Sequence, residues 1–286
     1  MLRLCRRFST KTTSNSLTSA LCVIGDEILS GKTLDVNSIY FAKRCFELGI
    51  QLDKIETVPD RYSSISSSLQ SLSQSHDLVF TSGGIGPTHD DITYDAVARA
   101  FGGGLAYHEG TLARMRRIMS ARGSATMPDP KGTAEEVALA RMALLPANAE
   151  VVFPCDEYWV PVVSVNDRVH VFPGIPKLFE GLVDAYLPPL VARLSGESVT
   201  AFTRALIGIH QRESAIASTL DQLQERYAPM GIKIGSYPNW VPKNKAPETS
   251  DWKPTVVISV VGKDKEAVDR CRKELCLLLD GVDLSV

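Results

Sequence analysis

Several features that would assign a function at once have no counterpart in this chain. The six cysteines, at positions 5, 22, 45, 155, 271 and 276, form no C-x-x-C pair and no metal-ligand spacing, which predicts reduced, mostly structural thiols in a chain that is not secreted. No apolar run is long enough to span a bilayer. The net charge is only −2, from 31 basic and 33 acidic residues. We therefore expect a soluble chain with no nucleic-acid partner and no membrane partner.

The length of the chain predicts two domains. It has 286 residues, of which 44% are hydrophobic and 22% charged, as is ordinary for a globular protein with a full core. The secondary-structure pattern resets after the two prolines at 188 and 189, so we predict a first domain over residues 21–190 and a second over residues 191–286.

The first twenty residues differ in composition from everything that follows. They contain four basic residues and eight serines or threonines, and no acid occurs before Asp26. This composition is typical of a mitochondrial transit peptide, and Arg6-Arg7-Phe8-Ser9 resembles a matrix-protease site with the cut after Phe8. We expect residues 1–20 to direct the protein to the mitochondrial matrix. A disordered basic tail is the alternative.

One glycine-rich stretch organises the chain. A short apolar run, residues 78–80, predicts a strand, and residues 94–101 predict a helix. Between them lie Gly83, Gly84 and Gly86. A loop in this position brings backbone N–H groups and a helix N-terminus to the carboxyl end of a strand, where they can bind a phosphate.

Two acids follow these glycines, and they change the prediction. Asp90 and Asp91 would repel a phosphate unless a cation lay between them, so the loop predicts a site for a metal-bridged phosphate ester or diphosphate. The alternative is that Asp90, Asp91 and Thr93 only cap the following helix.

From residue 21 to residue 101, three strand patterns alternate with three helix patterns. This alternation predicts a parallel sheet with helices on both faces. A second acidic pair, Asp26 and Glu27, directly follows the first strand. Because ligands of such sheets bind at the carboxyl ends of strands, we expect Asp26 and Glu27 to lie close to Asp90 and Asp91.

Residues 102–148 predict two helices, over 111–121 and 134–145. The first carries Arg114, Arg116 and Arg117, which form either a solvated face or a surface for a partner or an anionic substrate. A strand at 159–165 and a return strand at 168–172 form a predicted hairpin about Asn166-Asp167. Pro173-Gly-Ile-Pro176 then adds a rigid turn at the same edge of the sheet.

The second domain follows a β-α-β-β-α order over residues 200–279, with a polar hairpin loop predicted over 239–252. This order resembles an RNA-binding KH unit, but the chain has neither the GxxG between two helices nor a basic stripe. RNA binding is therefore not expected.

Several motifs together resemble one known family. They are Ile24-Gly-Asp-Glu-Ile-Leu-Ser-Gly31, Asp35-x-Asn37, Thr81-Ser-Gly-Gly-Ile-Gly-Pro-Thr-His-Asp-Asp-Ile-Thr93, Phe172-Pro-Gly-Ile-Pro176 and Gly235-Ser-Tyr-Pro238. They resemble the molybdopterin-binding, MoaB/Mog-like domain of the CinA family, and most of all its version at the N-terminus of eukaryotic FAD synthase. The resemblance implies an α/β fold: a three-layer, parallel-sheet MoaB/Mog-like domain followed by a small α+β, KH-like domain.

The resemblance also implies an activity. CinA-type members look like metal-dependent pyrophosphatases that release AMP from FAD or ADP-ribose. Molybdopterin adenylyltransferases share the frame from Ser82 to Asp91 and Thr93, whereas Asp90 is the additional acid of the CinA type. No stretch resembles the separate catalytic domain of FAD synthase, so adenylylation of FMN is not expected.

From these motifs and the chemistry of a diphosphate we assign roles to individual residues. The expected metal ligands are Asp26, Glu27, Asp90 and Asp91, and the expected cations are Mg²⁺, Mn²⁺ or Co²⁺, with K⁺ as a further cation. The expected phosphate-binding residues are Gly83, Gly84, Gly86, Thr88, Thr93, Asn37 and Gly174. Asp90, Asp91 and His89 are the expected catalytic residues, with His89 as a proton donor to the leaving phosphate. His89 facing solvent and Asn37 capping a helix are the alternatives.

Three functions therefore remain open from the sequence. They are a FAD or ADP-ribose pyrophosphatase, a pterin-binding protein with nucleotidyl-transfer activity, and a non-catalytic flavin-binding regulatory module. A homo-oligomer is expected from the resemblance alone.

Overall fold

The computed structural model describes residues 17–195, 200–238 and 254–285, which fall into two compact units divided between residues 199 and 200. Most of the predicted leader and the whole loop predicted over 239–252 lie outside the described residues. Residues 18–20, which lie within the predicted leader, belong to the first strand, where Ser19 and Ala20 are fully buried.

The elements of the first unit alternate as predicted. In chain order they are β1 (Thr18–Ile24), α1 (Asp26–Leu29), α2 (Val36–Glu47), β2 (Gln51–Val58), α3 (Tyr62–Ser75), β3 (Leu78–Ser82), α4 (Thr93–Phe101), β4 (Leu105–Tyr107), α5 (Glu109–Ala121), α6 (Ala134–Arg141), β5 (Leu144–Pro146), β6 (Glu150–Val152), β7 (Val162–Val165), β8 (Val169–Phe172) and α7 (Pro176–Ser195).

A six-stranded sheet in the order β2-β1-β3-β8-β7-β6 forms the centre of this unit. The first four of these strands are parallel, whereas β7 and β6 are antiparallel to their neighbours. The β7–β8 hairpin turns at Asn166 and Asp167, which both have positive φ, as a two-residue hairpin requires. The predicted parallel arrangement holds for these four strands, and the predicted hairpin is confirmed; the sheet as a whole is mixed but mostly parallel.

Apolar side chains cover both faces of the sheet, which explains the continuous hydrophobic runs of β1 and β3. On one face, α2 and α7 pack through Phe41, Phe179 and their neighbours onto Phe80 and Phe172. On the other face, α3 and α4 supply a second cluster that includes Leu69. The result is the three-layer arrangement predicted from the alternating elements.

Helix α7 passes through Pro188 and Pro189, where the sequence predicted a domain boundary. Each proline removes one helical N–H donor. The residues on either side, Leu187 and Leu190, are buried in the core beside the sheet. Packing of this apolar face therefore outweighs the lost hydrogen bonds, and the division between the units lies about ten residues later than predicted.

The excursion between α4 and β6 also differs in detail from the prediction. Helix α6 ends at Arg141, before the predicted end at 145, because β5 begins at Leu144 and pairs with β4. In α5, the Arg114 guanidinium bonds the carbonyls of Cys155 and Tyr158, and Arg116 bonds the carbonyl of Pro128. Two of the three arginines of the predicted basic cluster thus hold neighbouring main chain, and only Arg117 is exposed.

The second unit is an α+β domain with an antiparallel sheet. Its elements are β9 (Thr203–Ile209), α8 (Glu213–Tyr227), a 3-10 turn (Ala228–Met230), β10 (Lys233–Pro238), β11 (Val256–Gly262), α9 (Lys265–Leu278) and β12 (Val282–Asp283). The strand order is β10-β11-β9-β12, and both long helices pack on one apolar cluster. Over the described ranges of both units, no helix combines the length and the apolar character needed to cross a membrane.

The buried His170 predicts a pH dependence of stability. Its Nδ1 lies 3.0 Å from the Tyr186 hydroxyl, its ring stacks on Phe80, and no described residue bonds its Nε2. Burial, with a smaller contribution from the charge of Arg193, lowers the pKa of His170 to about 3. Below the unfolded pKa of about 6.5, only the unfolded chain takes up this proton.

We therefore expect His170 to reduce the free energy of unfolding by about 1 kcal/mol between pH 7 and pH 5.5, a value that follows from the same linkage relation. Urea denaturation at the two pH values measures this loss, and the His170→Gln variant should show a smaller loss. Equal losses in both proteins would contradict the expectation.

Candidate functional site

Four loops meet at the carboxyl edge of the parallel strands. They follow β1 at Gly25, β2 at Pro59, β3 at Gly83 and β8 at Pro173. Because these strands are adjacent and parallel, their ends lie at one edge of the sheet. The sequence placed three of these loops at that edge, and the fourth, after β2, brings a further acid, Asp60.

Glycine is required where these loops touch. Gly83 has a φ of 110°, and a Cβ there would collide with the Ile24 carbonyl at the end of β1. A Cβ on Gly174 would lie 3.1 Å from the Gly83 Cα. The Gly83 N–H also donates to the Phe172 carbonyl at 3.2 Å. Gly83 and Gly174 therefore hold the loops together, and the Gly83 N–H is already bonded rather than free for phosphate.

Asn37 ties the same loops to α2. Its Nδ2 donates to the Ser82 hydroxyl and to the Gly174 carbonyl, both at 2.9 Å, and the side chain is buried. The helix cap is Asp35 instead, whose carboxylate accepts from the Ser38 N–H at 2.9 Å. The capping alternative for Asn37 is thus wrong. No described residue pairs with the Asn37 Oδ1, which leaves one buried acceptor at this junction.

The loop from Gly83 to Ile92, here called the carboxylate loop, enters α4 without a side-chain cap. Ile92 occupies the N-cap position. The buried Thr93 bonds backward, its N–H to the Gly84 carbonyl and its hydroxyl to the Gly83 carbonyl, both at 3.0 Å. The expectation that Asp90, Asp91 or Thr93 only caps the helix is therefore wrong. Thr93 stabilises the turn, and its hydroxyl hydrogen is already used in the bond to the Gly83 carbonyl.

Thr88 lies between the two aspartates. Its hydroxyl is 2.6 Å from Asp90 Oδ1 and 2.5 Å from Asp91 Oδ2, and its N–H donates to Asp91 Oδ2 at 2.9 Å. A Cβ on Gly86 would lie 2.5 Å from the same Asp91 oxygen. The predicted phosphate-binding Thr88 thus orients the two carboxylates in this structure.

Asp60 lies close to other carboxylates at this edge. Asp60 accepts from the Asp26 N–H at 2.8 Å, joining the loops after β2 and β1. Partial burial raises the pKa of Asp60, and the charges of Asp26, Glu27 and Asp90 raise it further. Hydrogen bonding from Thr88 instead lowers the pKa of Asp90. The close approach of Asp26 or Glu27 to Asp91 stays a prediction.

The carboxylate oxygens are hard ligands of the kind that Mg²⁺ and Mn²⁺ prefer. Over the described ranges, no three His, Cys, Asp or Glu side chains converge in a ready metal-binding group. Mg²⁺ is usually held by one or two carboxylates together with the phosphates of its substrate. The residues fit that kind of ion, with Asp90 and Asp91 on one loop and Asp26 on the next, and they do not form a complete cage.

The remaining predicted residues lie in exposed or open positions. The His89 side chain is 98% exposed, and its Nδ1 lies 4.0 Å from Asp90 Oδ1, which agrees with the alternative that it faces solvent. Asp26 and Glu27 are exposed on the one-turn helix α1. Within the described ranges, no protein acceptor is recorded for the N–H groups of Gly84 and Gly86. Their assignment to phosphate binding stays a prediction.

Two residues at the site were missed from the sequence. Asp60 directly follows β2 in the same way that Asp26 follows β1, so its position at the end of a parallel strand was a usable signal. Arg141 lies at the end of α6 and donates to the Thr88 carbonyl. No spacing or motif connected residue 141 to residue 88, because only the folded excursion brings them together.

Comparison with known families adds to this geometry. A family model described as a probable molybdopterin binding domain matches residues 20–193, and a model of the middle domain of FAD synthase matches residues 201–283. The chain belongs to the molybdopterin-binding-domain family. The two matched ranges fall within the two structural units.

Two kinds of name recur among the relatives of this chain. A probable FAD synthase of Caenorhabditis elegans is 32% identical over 83% of this chain and 46% of its own length. A CinA-like protein of Escherichia coli is 34% identical over 74% of this chain and 50% of its own length. The chain thus spans about half the length of these curated relatives. The resemblance inferred from the motifs is confirmed.

A solved structure shows the same fold. The crystal structure of CinA from Thermoplasma acidophilum, a protein of unknown function, superimposes with a TM-score of 0.52 at 27% identity and covers 62% of this chain and 99% of its own. The MoaB/Mog-like α/β fold predicted for the first domain is therefore confirmed.

The contact of Gly83 with β1 predicts a large effect of a single methyl group. We expect Gly83→Ala to destabilise the protein by about 3 kcal/mol or more, because strain at positive φ adds to a collision with the Ile24 carbonyl. The matched control is Gly123→Ala, where φ is also positive (76°) but nothing lies within 4 Å, and about 1 kcal/mol is expected. Urea denaturation of both variants measures the difference, and equal losses would contradict a tight loop contact.

Proposed function

We propose that this protein is a metal-dependent pyrophosphatase that hydrolyses FAD or ADP-ribose to AMP and the other monophosphate. The observation that carries the proposal is geometric: Asp26, Asp60, Asp90 and Asp91 lie in loops at one edge of the sheet, where Asp60 accepts the Asp26 N–H at 2.8 Å and Thr88 joins Asp90 and Asp91. Such a concentration of negative charge is unfavourable without a cation, and a diphosphate substrate would bring one with it.

Each group has a role in this chemistry. Asp90 and Asp91, with Asp26 or Glu27, would hold the divalent ion, which neutralises charge on the diphosphate when it is bound. The N–H groups of Gly84 and Gly86 would donate to phosphate oxygens.

Asp60, which accepts the Asp26 N–H and is not assigned to the ion, would accept the proton of the attacking water. The water oxygen then bonds to phosphorus as the bridging P–O bond breaks. The two products are AMP and the other monophosphate.

The family match supports a second candidate function, which is binding of a pterin with nucleotidyl transfer. It predicts that the nucleotide is transferred to an acceptor rather than to water. A third candidate, a non-catalytic flavin-binding module, predicts binding without turnover. The basic first twenty residues would place any of these functions in the mitochondrial matrix, and assembly as a homo-oligomer is part of the same proposal.

The deciding experiment incubates the full chain with FAD, ADP-ribose and NAD in Mg²⁺, Mn²⁺ or Co²⁺, with EDTA as the control. AMP is followed by chromatography. We expect metal-dependent release of AMP from FAD or ADP-ribose. No AMP from any of these compounds would contradict the pyrophosphatase, and a ligand that raises the melting temperature without turnover would favour a binding role.

Variants of the carboxylates test the assignment of residues. We expect Asp90→Asn and Asp91→Asn each to lower kcat/KM for AMP release by about 100-fold or more, because each removes a charged ligand of the ion. The matched control is Asp53→Asn on the exposed edge strand β2, which should leave activity unchanged. If folded Asp90→Asn and Asp91→Asn proteins release AMP at the normal rate, the assignment is wrong.

A further inference from the structure

Thr88 fixes the arrangement of both aspartates in the carboxylate loop. Its hydroxyl and N–H contact the Asp90 and Asp91 carboxylates, and its carbonyl accepts the Asp91 N–H at 3.2 Å. Thr88 is itself exposed, as are Asp90 and the neighbouring His89. An exposed turn loses conformational entropy when it is held in one geometry, so a contact with another part of the chain is needed to stabilise it.

Arg141 supplies that support from a distant part of the chain. Its Nη1 donates to the Thr88 carbonyl across 53 residues of sequence, whereas the contacts of Thr88 with Asp90 and Asp91 span at most three. Arg141 is half-buried, so its side chain is more confined than that of a fully exposed arginine. The bond therefore connects the exposed turn to a separate packed element.

Helix α6 holds Arg141 in place. Its N-terminus is closed by a capping box between Thr133 and Glu136. At its other end, Ala140 is fully buried in a cluster with Leu112 and Met115 of α5. Ala143, on the other side of Arg141, is fully buried in the same cluster. Since the backbone is held on both sides of Arg141, its guanidinium can restrain the loop rather than follow it.

We propose that Arg141 is a positioning residue, which acts through the Thr88 carbonyl to hold Asp90 and Asp91 at the spacing that a divalent cation requires. This inference rests on the proposed function, since it assumes that these two aspartates bind the ion. Arg141 does not itself contact the ion or the substrate. Residues that orient metal ligands in this way typically account for about 10- to 100-fold in metal affinity.

The alternative role of Arg141 makes the opposite prediction. If Arg141 were only a nearby positive charge, its removal would make the site more negative, and cations would bind more tightly. If it positions the ligands, its removal would loosen the turn, and cations would bind more weakly. The sign of the change in affinity therefore separates the two roles.

The experiment measures the affinity of the full chain for Mn²⁺ from the free-ion signal in electron paramagnetic resonance. AMP, a product of the proposed reaction, is present at a fixed concentration as the phosphate ligand, because the carboxylates of the described ranges alone do not form a complete cage. The same titration without protein is the blank. Arg141→Met is expected to weaken Mn²⁺ binding by about 10-fold. Arg141→Lys keeps the positive charge but replaces the planar guanidinium with a compact ammonium group. We expect it to weaken Mn²⁺ binding less than Arg141→Met does. The control is Arg117→Met on the exposed face of α5, which removes the same charge and should leave the affinity unchanged.

Each outcome decides the inference. Tighter or unchanged binding in folded Arg141→Met overturns it while the proposed function stands. If Arg141→Met does not fold, an unchanged affinity in Arg141→Lys overturns it. If the unsubstituted protein binds no Mn²⁺, the metal of the proposed function fails first and the inference fails with it. Weaker binding in the Arg141 variants, with Arg117→Met unchanged, supports it.

Discussion

The close approach of three loops at the carboxyl edge of the sheet is the constraint on which the site depends. Gly83 lies against the end of β1 on one side and against Gly174 on the other. Asn37 then joins Ser82 and Gly174 to α2 through one amide group. Any side chain at Gly83 would force these loops apart, so the position of the carboxylates depends on main-chain contacts that only glycine permits.

Asp60 lies in an environment that disfavours its ionised form. Asp60 is kept close to Asp26, Glu27 and Asp90 although their charges oppose its ionisation. Among the described residues, no arginine or lysine forms a salt bridge with these four acids, although hydrogen bonding from Thr88 and, to a smaller extent, the charge of Arg141 lower the pKa of Asp90. Groups held in an unfavourable electrostatic environment are typical of binding and catalytic sites. A cation with a phosphate ligand would relieve the repulsion.

The excursion between α4 and β6 has a structural role that its irregular sequence did not suggest. Arg114 and Arg116 use their guanidinium groups to hold main-chain carbonyls of the same chain. Arg141 does the same for the carboxylate loop. Three arginines thus connect segments that share no sheet or helix.

The sequence by itself determined the main helices and strands, the parallel strands of the sheet, the family and the edge of the sheet at which the acid-bearing loops lie. These features depend on local periodicity, on turn residues and on the rule that parallel strands end at one edge. Tertiary structure alone decided that the Gly83 N–H donates to Phe172, that α7 continues through Pro188 and Pro189, and that Arg141 donates to Thr88. Each of these depends on a contact between distant residues, and no local pattern encodes such a contact. The bonds of Thr93 to Gly83 and Gly84 are closer in sequence, but they too depend on the fold of the loop.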